Sequence, residues 1–110
     1  MDSLYSMYIK EREGYDCIED QDSFLTYTQI EDALYIRDIY IRPEARSKGK
    51  SLELGKKMEE LAKDMGCKAL LGSVDKRTNN WERNKHIMML FGFKQVSKDT
   101  EECIYFNKDL

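Results

Sequence analysis

The stretch that most constrains what this chain can fold into is Ile39-Tyr40-Ile41-Arg42-Pro43-Glu44-Ala45-Arg46-Ser47-Lys48-Gly49-Lys50-Ser51, which runs on into Leu52-Glu53-Leu54-Gly55. A β-branched and aromatic run stops at the only proline in the sequence. A short basic loop with one glycine follows, and an amphipathic helical pattern begins directly after it. Strand, turn and helix N-terminus together make the local geometry of an anion site. The first N–H groups of a helix have no intrahelical partner, and the macrodipole adds roughly half a positive charge there. Gly49 has no Cβ to keep a ligand away from the backbone. Arg46, Lys48 and Lys50 add full charges around the same point. The stretch reads as a phosphate or pyrophosphate cradle. The plainer alternative is a basic surface loop capping an ordinary strand–helix junction.

The rest of the chain sets bounds on that site. At 110 residues there is room for one domain, residues 1–110, with a small core. Charged residues make up 35% and hydrophobic ones 41%, as in ordinary soluble proteins. No apolar run approaches the roughly 20 residues that span a membrane, and no signal peptide opens the chain. Cys17, Cys67 and Cys103 are odd in number and far apart, and there is one histidine, so neither a metal-ligand set nor a disulfide framework is expected. A reduced, cytoplasmic protein is the expectation. Residues 1–44 hold 11 acidic and 4 basic residues, whereas residues 45–110 hold 10 and 14. That asymmetry suits an enzyme presenting one face to a cationic acceptor and another to an anionic cofactor, and plain solvated charge explains it equally well. The overall acidity argues against nucleic-acid binding, whose footprint is usually basic.

Taken in order, the spacing predicts a short amphipathic helix from about Ser3 to Arg12, capped by Asp2 or Ser3 and ended by Gly14. A strand over Tyr15–Glu19, a turn at Asp20-Gln21-Asp22 and a strand over Phe24–Ile30 follow. Glu31-Asp32 is a tight connection to a third strand, Leu34–Ile41, so the three make an antiparallel meander. Leu54, Met58, Leu61, Ala62 and Met65 form one stripe of a helix over Lys50–Met65. Cys67–Val74 has few polar residues, as expected of a strand covered on both faces. A polar loop over Asp75–Asn79 leads to a helix over Asn80–Phe91, with Asn84, Ile87, Met88 and Phe91 on one side. Phe93–Ser97 and Glu102–Asn107 form a last hairpin across Lys98-Asp99-Thr100-Glu101.

Two nucleotide motifs fail at the cradle. A P-loop needs glycine at position 44, where Glu44 stands, and G-x-G-x-x-G is absent. The pattern R/Q-x-x-G-x-G/A is matched by Arg46, Gly49 and Ser51, with Ile41 and Pro43 before it at the right spacing. Gly92-Phe93 closing the second long helix, with Asn79 in the loop before it, is a second signature. These features resemble the GNAT superfamily of N-acetyltransferases, and the compact size with Leu71-Gly72-Ser73-Val74 looks like small members carried by bacteriophages. Ser51 departs from the usual Gly or Ala but is still small. The resemblance spans residues 15–107. It implies a fold between α+β and α/β: a GNAT-like (acyl-CoA N-acyltransferase) fold with a mixed central sheet of about six strands and flanking helices, truncated at the N-terminus.

The resemblance also implies the chemistry. The strands around Ile39–Ile41 and Leu70–Val74 would splay, and an acyl-CoA would lie between them like an extra strand. Ile39 and Ile41 would pair with the pantetheine amides, and Arg46, Ser47, Lys48, Gly49, Lys50 and Ser51 would hold the pyrophosphate. Asn79 would bond the pantetheine arm; a loop-capping role suits it as well. Acetyl-CoA is the implied co-substrate and a primary amine the acceptor, either a small molecule or a protein lysine or N-terminus, with no membrane partner. The acceptor cleft is either open or completed by a second subunit in a homodimer. Asp38 is the candidate base that takes the amine proton, or else a strand-edge aspartate paired with Arg37 or Lys85. Tyr27, Tyr35 and Tyr40 either line the acceptor cleft or pack in the core. The family's usual tyrosine acid falls at Met88, which has no proton to give; His86 and Tyr105 are the substitutes nearby, although His86 can equally point to solvent. A thiol near pKa 8.5 also leaves without an acid. The competing readings are an acyl-CoA-binding or protein-interaction module without catalysis, and a nucleic-acid module using Arg42, Arg46, Lys48 and Lys50.

Overall fold

A computed structural model describes residues 3–98 and 100–110. In chain order the elements are α1 (Leu4–Glu13), β1 (Asp16–Glu19), β2 (Ser23–Ile30), β3 (Ala33–Ile41), a 3-10 turn (Pro43–Ala45), α2 (Lys50–Asp64), β4 (Ala69–Asp75), α3 (Trp81–Leu90), β5 (Lys94–Gln95) and β6 (Cys103–Asp109). The strands form one sheet in the order β1-β2-β3-β4-β6-β5. β1 to β3 are an antiparallel meander, β3 and β4 run parallel across α2, and β6 pairs antiparallel with both β4 and β5. This is the expected mixed sheet with flanking helices.

The helix α2 carries the core. Leu54, Met58 and Ala62 recur at helical spacing and are buried against Leu25, Leu34, Ile36, Leu70 and Phe106 of the sheet. Burying such a stripe, rather than helix propensity, is what holds a helix of this length. Ser3 caps α1: its side chain accepts the Ser6 N–H at 3.0 Å. Asp2, the alternative cap, and Asp99, in the last turn, lie outside the described residues.

Several expectations need correction. On α1 the buried residue is Ile9, while Leu4, Met7 and Tyr8 face outward, so the inner face is the Tyr5–Ile9 side. Tertiary packing of Tyr5 on Phe24 (ring centroids 4.9 Å apart) decides the helix's rotation, which apolar spacing alone did not. β4 is not covered on both faces: Leu70, Gly72 and Val74 are buried, and the alternate residues are only half-buried. On α3, Asn84 is exposed and Trp81 replaces it among the residues packed on the core. Met65 at the end of α2 is also exposed. The last hairpin has a two-residue first strand, because only Lys94 and Gln95 pair with β6.

The meander has one irregularity. Thr26 opposes Asp38, but Tyr27 opposes Ile36, so Arg37 is an extra residue that bulges β3. A bulge leaves ladder groups unpaired, and Thr26 supplies the substitute. Its fully buried hydroxyl accepts the Asp38 N–H at 3.1 Å and donates to Asp38 Oδ2 at 3.4 Å.

The β1–β2 turn ties this half of the sheet to the start of α2. Asp20 Oδ1 accepts the N–H groups of Asp22 (2.8 Å) and Ser23 (2.9 Å) and the Ser23 hydroxyl (3.1 Å), while Oδ2 pairs with Lys50 Nζ. Burial alone would push the Asp20 carboxyl up; the bonds from Lys50, Asp22 and Ser23 outweigh it and hold it at about 2.

Two outcomes follow. Thr26→Val keeps the shape but leaves the Asp38 N–H at the bulge without its acceptor; a loss of about 1–3 kcal/mol in urea unfolding is expected, with Thr26→Ser losing less. Equal stability of Thr26→Val and wild type would contradict this role. For Asp20, the folded value lies below the unfolded one, so its contribution is full above about pH 4 and lost as pH falls through about 2. Wild type is therefore expected to unfold at higher urea than Asp20→Asn at pH 7, with the gap closing by pH 2. A gap that persists unchanged at pH 2 would contradict the assignment.

Candidate functional site

The parallel pairing of β3 with β4 is short. It runs from Ala33–Ala69 through Leu34–Leu70 and Tyr35–Leu71 and ends at Ile36–Gly72. Beyond that point β3 continues to Ile41 on β2 alone, and β4 continues to Asp75 on β6 alone. The two strands fork. The bulge at Arg37 sits immediately past the last shared pair, where it adds local twist and turns β3 away.

The fork leaves an open backbone edge on β3, and its phase can be read. Arg42 N–H donates to the Asp22 carbonyl at 2.7 Å, which makes Arg42–Asp22 a hydrogen-bonded position of the antiparallel ladder. Alternation then places Tyr40–Phe24 in the same phase. It places Ile41–Ser23 and Ile39–Leu25 in the other, where N–H and C=O turn away from β2. Ile39 and Ile41 thus present their backbone groups to the fork. The Ile41 carbonyl is already partnered there by Arg46 Nε at 2.9 Å.

At the outer end of this edge the chain passes through the 3-10 turn at Pro43 and enters the loop before α2. Ser47 (φ 63°) and Gly49 (φ 79°) are both left-handed, an arrangement that turns successive N–H groups to one side. At Gly49 the requirement is the backbone angle, because nothing lies within 4 Å of where a Cβ would be. The N–H groups of Lys50, Ser51 and Leu52 begin α2 and have no helical carbonyl behind them.

The three cations behave differently. Lys48 is exposed, and Ser47 beside it is too. Arg46 folds back onto Ile41 and lies over the Tyr40 ring, 5.7 Å from its centroid. Lys50 is bound to Asp20 and lies 3.5 Å from Glu53, so the charge it adds beside the loop is shared with two carboxylates. Its ammonium is held above the usual lysine range by the Asp20 hydrogen bond, the state of a paired cation.

Asp38 lies one residue past the bulge, beside the apex of the fork, with its side chain about half exposed. The alternative partner Arg37 does approach, at 3.8 Å, but Arg37 pairs more closely with Glu13. An aromatic row flanks it: Tyr5 on Phe24, and Phe24 stacked on Tyr40 at 5.8 Å. Burial, then the Asp38 charge, pushes the Tyr5 hydroxyl up. The sequence places Phe24 and Thr26 in a strand but does not mark either as a site residue; the signal is their cross-strand register with Asp38 and Tyr40, which needs the sheet.

The remaining predicted residues scatter. Asn79 is exposed in the turn ahead of α3, at the β4 side of the fork's mouth. Tyr27 packs against the core, whereas Tyr40 is exposed. His86 is exposed on α3. Met88 is buried and lies on Gly72, so close that a Cβ on Gly72 would collide with its Cε. Among the described residues no group of three His, Cys, Asp or Glu side chains converges as metal ligands, and the three cysteines are free.

Comparison with known proteins bears on this geometry. Residues 7–86 match the sequence model of the Acetyltransferase (GNAT) family. No curated protein sequence matches the chain. Among solved structures, a putative GNAT acetyltransferase from Desulfovibrio desulfuricans superposes with a TM-score of 0.73 at 13% identity, covering 86% of this chain and 69% of that one. A Bacillus subtilis acetyltransferase in complex with CoA gives 0.71 at 13% identity, covering 94% and 83%. An acetyltransferase from Bacillus cereus gives 0.63 at 19%, covering 87% and 71%. At such identities the likeness speaks for the fold. The matched span of 80 residues includes the fork, the loop and most of α3, and the chain belongs to the GNAT acetyltransferase family.

Proposed function

We propose that this chain transfers an acetyl group from acetyl-CoA directly to a primary amine. The observation that carries this reading is the fork, whose open β3 edge ends at a loop of outward-turned N–H groups. An extended pantetheine arm would pair with the backbone of Ile39 and Ile41 as an added strand. The N–H groups from Ser47 to Ser51 would take the pyrophosphate, Ser47, Lys48 and Gly49 from the left-handed turn and Lys50 and Ser51 from the helix start, while the Arg46 N–H is held by the Pro43 carbonyl. With Lys50 paired to Asp20 and Arg46 to Ile41, the diphosphate is held by backbone dipoles, and Lys48 adds the mobile charge. Asn79 would close over the arm from the β4 side. That the Bacillus subtilis neighbour of the same fold is in complex with CoA supports a CoA-type ligand here.

The reaction asks for a neutral amine. A lysine-like amine of pKa near 10.4 is only about one part in 2,500 neutral at pH 7, a cost of about 4.6 kcal/mol. Asp38, at the apex and oriented by Thr26, is the group to take that proton, directly or through one water. The amine nitrogen attacks the thioester carbon, the C–N bond forms, the C–S bond breaks, and CoA leaves as the thiol. The proposed setting is the cytoplasm, where the three free cysteines would stay reduced, with a small-molecule amine or a protein lysine or N-terminus as acceptor.

One observation favours a second reading. Met88 is buried and cannot donate a proton, as a module that binds acyl-CoA without transferring would allow.

Calorimetry with acetyl-CoA and a thiol-release assay over a panel of primary amines test both. Saturable binding in the micromolar range and thiol release are expected, with Asp38→Asn lowering kcat by about a hundredfold or more at unchanged acetyl-CoA affinity. Binding without release from any amine would favour the second reading. Turnover equal to wild type in Asp38→Asn would reject Asp38 as base.

A further inference from the structure

A proton donor at the sulfur would ease departure of the thiol, and Met88 has no proton to give. On the face of the sheet opposite the core, however, hydroxyls meet where the strands part. Ser73 is the first β4 residue past the last β3 pair, and Tyr35 stands one pair before it. Tyr35 Oη and Ser73 Oγ lie 2.5 Å apart, a short hydrogen bond that crosses between the two strands at the apex. Tyr105 is paired directly beside Ser73 on β6 and continues the row. Both Tyr35 and Ser73 are half-buried, so they are accessible from the fork yet screened from bulk water.

Geometry brings the thioester to the same place. From the loop end at Ile41 to the apex at Ile36 is five residues of strand, about 17 Å at about 3.3 Å per residue. An arm anchored by its diphosphate at the loop and laid along this edge carries its acyl end inward, toward the apex. We propose that Ser73, with Tyr35 behind it as a positioning residue, is the hydrogen-bond and proton donor to the sulfur of the bound cofactor. This rests on the cofactor reading above.

The step balances. As the C–S bond breaks, its electron pair goes to sulfur, Ser73 Oγ–H passes its proton to the thiolate, and the Tyr35 hydroxyl proton follows to Ser73 Oγ. The tyrosinate recovers a proton from the one the amine released, through solvent. No external acid is consumed.

A donor aimed at sulfur stabilises thiolate over thiol, so it is readable without an acceptor. The test measures the affinity of the intact chain for CoA and for desulfo-CoA from pH 7 to 9.5. The ratio of the two cancels every titration not involving the sulfur. In wild type, CoA is expected to gain about tenfold on desulfo-CoA across this range. In Ser73→Ala and Tyr35→Phe the ratio is expected to stay within about twofold, and Ser73→Thr to restore the rise. A rise of the same size in both variants, or a flat ratio in wild type, overturns the proposal while leaving the cofactor reading intact. Failure of both ligands to bind saturably would remove the cofactor reading and this one together.

Discussion

The structure depends on the hydrogen bonds that β3 and β4 do not make with each other. After Ile36 and Gly72 each strand is satisfied on one side only, β3 by β2 and β4 by β6. These inner edges are only part-buried, so their free backbone groups can pair with water or with an added strand. Two features keep the fork from closing. The extra residue at Arg37 puts the two strands out of step, and the Thr26 hydroxyl fixes that bulge by taking the Asp38 N–H. Gly72, covered by Met88, ends the shared ladder from the β4 side.

The loop before α2 solves a related problem by backbone geometry rather than by charge. Of the three cations that make the sequence look basic, two are engaged within the chain: Arg46 caps the Ile41 carbonyl and Lys50 holds the β1–β2 turn through Asp20. Both contacts pin the loop against the end of β3. The left-handed residues Ser47 and Gly49 then aim N–H groups outward from a fixed frame. Preorganised dipoles cost no rearrangement when an anion arrives, whereas free lysines would have to be ordered.

Much of this was legible from residues alone. Pro43, Gly49 and the Leu54-Met58-Ala62 repeat mark strand end, turn and helix because each acts through local backbone or periodicity. The same local rules predicted the meander. What stayed hidden depends on register between strands distant in sequence. The bulge at Arg37, the Thr26–Asp38 bond and the Tyr35–Ser73 contact join residues 12 to 38 positions apart, and one residue of slip would separate them. The rotation of α1 was not legible for a like reason: Leu4, Tyr5, Met7 and Tyr8 spread apolar character around the helix, and the ring of Phe24 selects the Tyr5 side. The pairing of Lys50 stayed hidden because Asp20, 30 residues earlier, reaches it only once the sheet has formed.

The central claim is that the inner edge of β3 is an open seat for an extended ligand, and amide hydrogen exchange at Ile39 and Ile41 with and without CoA tests it most directly. CoA is expected to slow exchange at these two amides, which face the fork, while Tyr40, already bonded to Phe24, changes little. CoA binding that leaves both isoleucine amides exchanging at their free rate would contradict it.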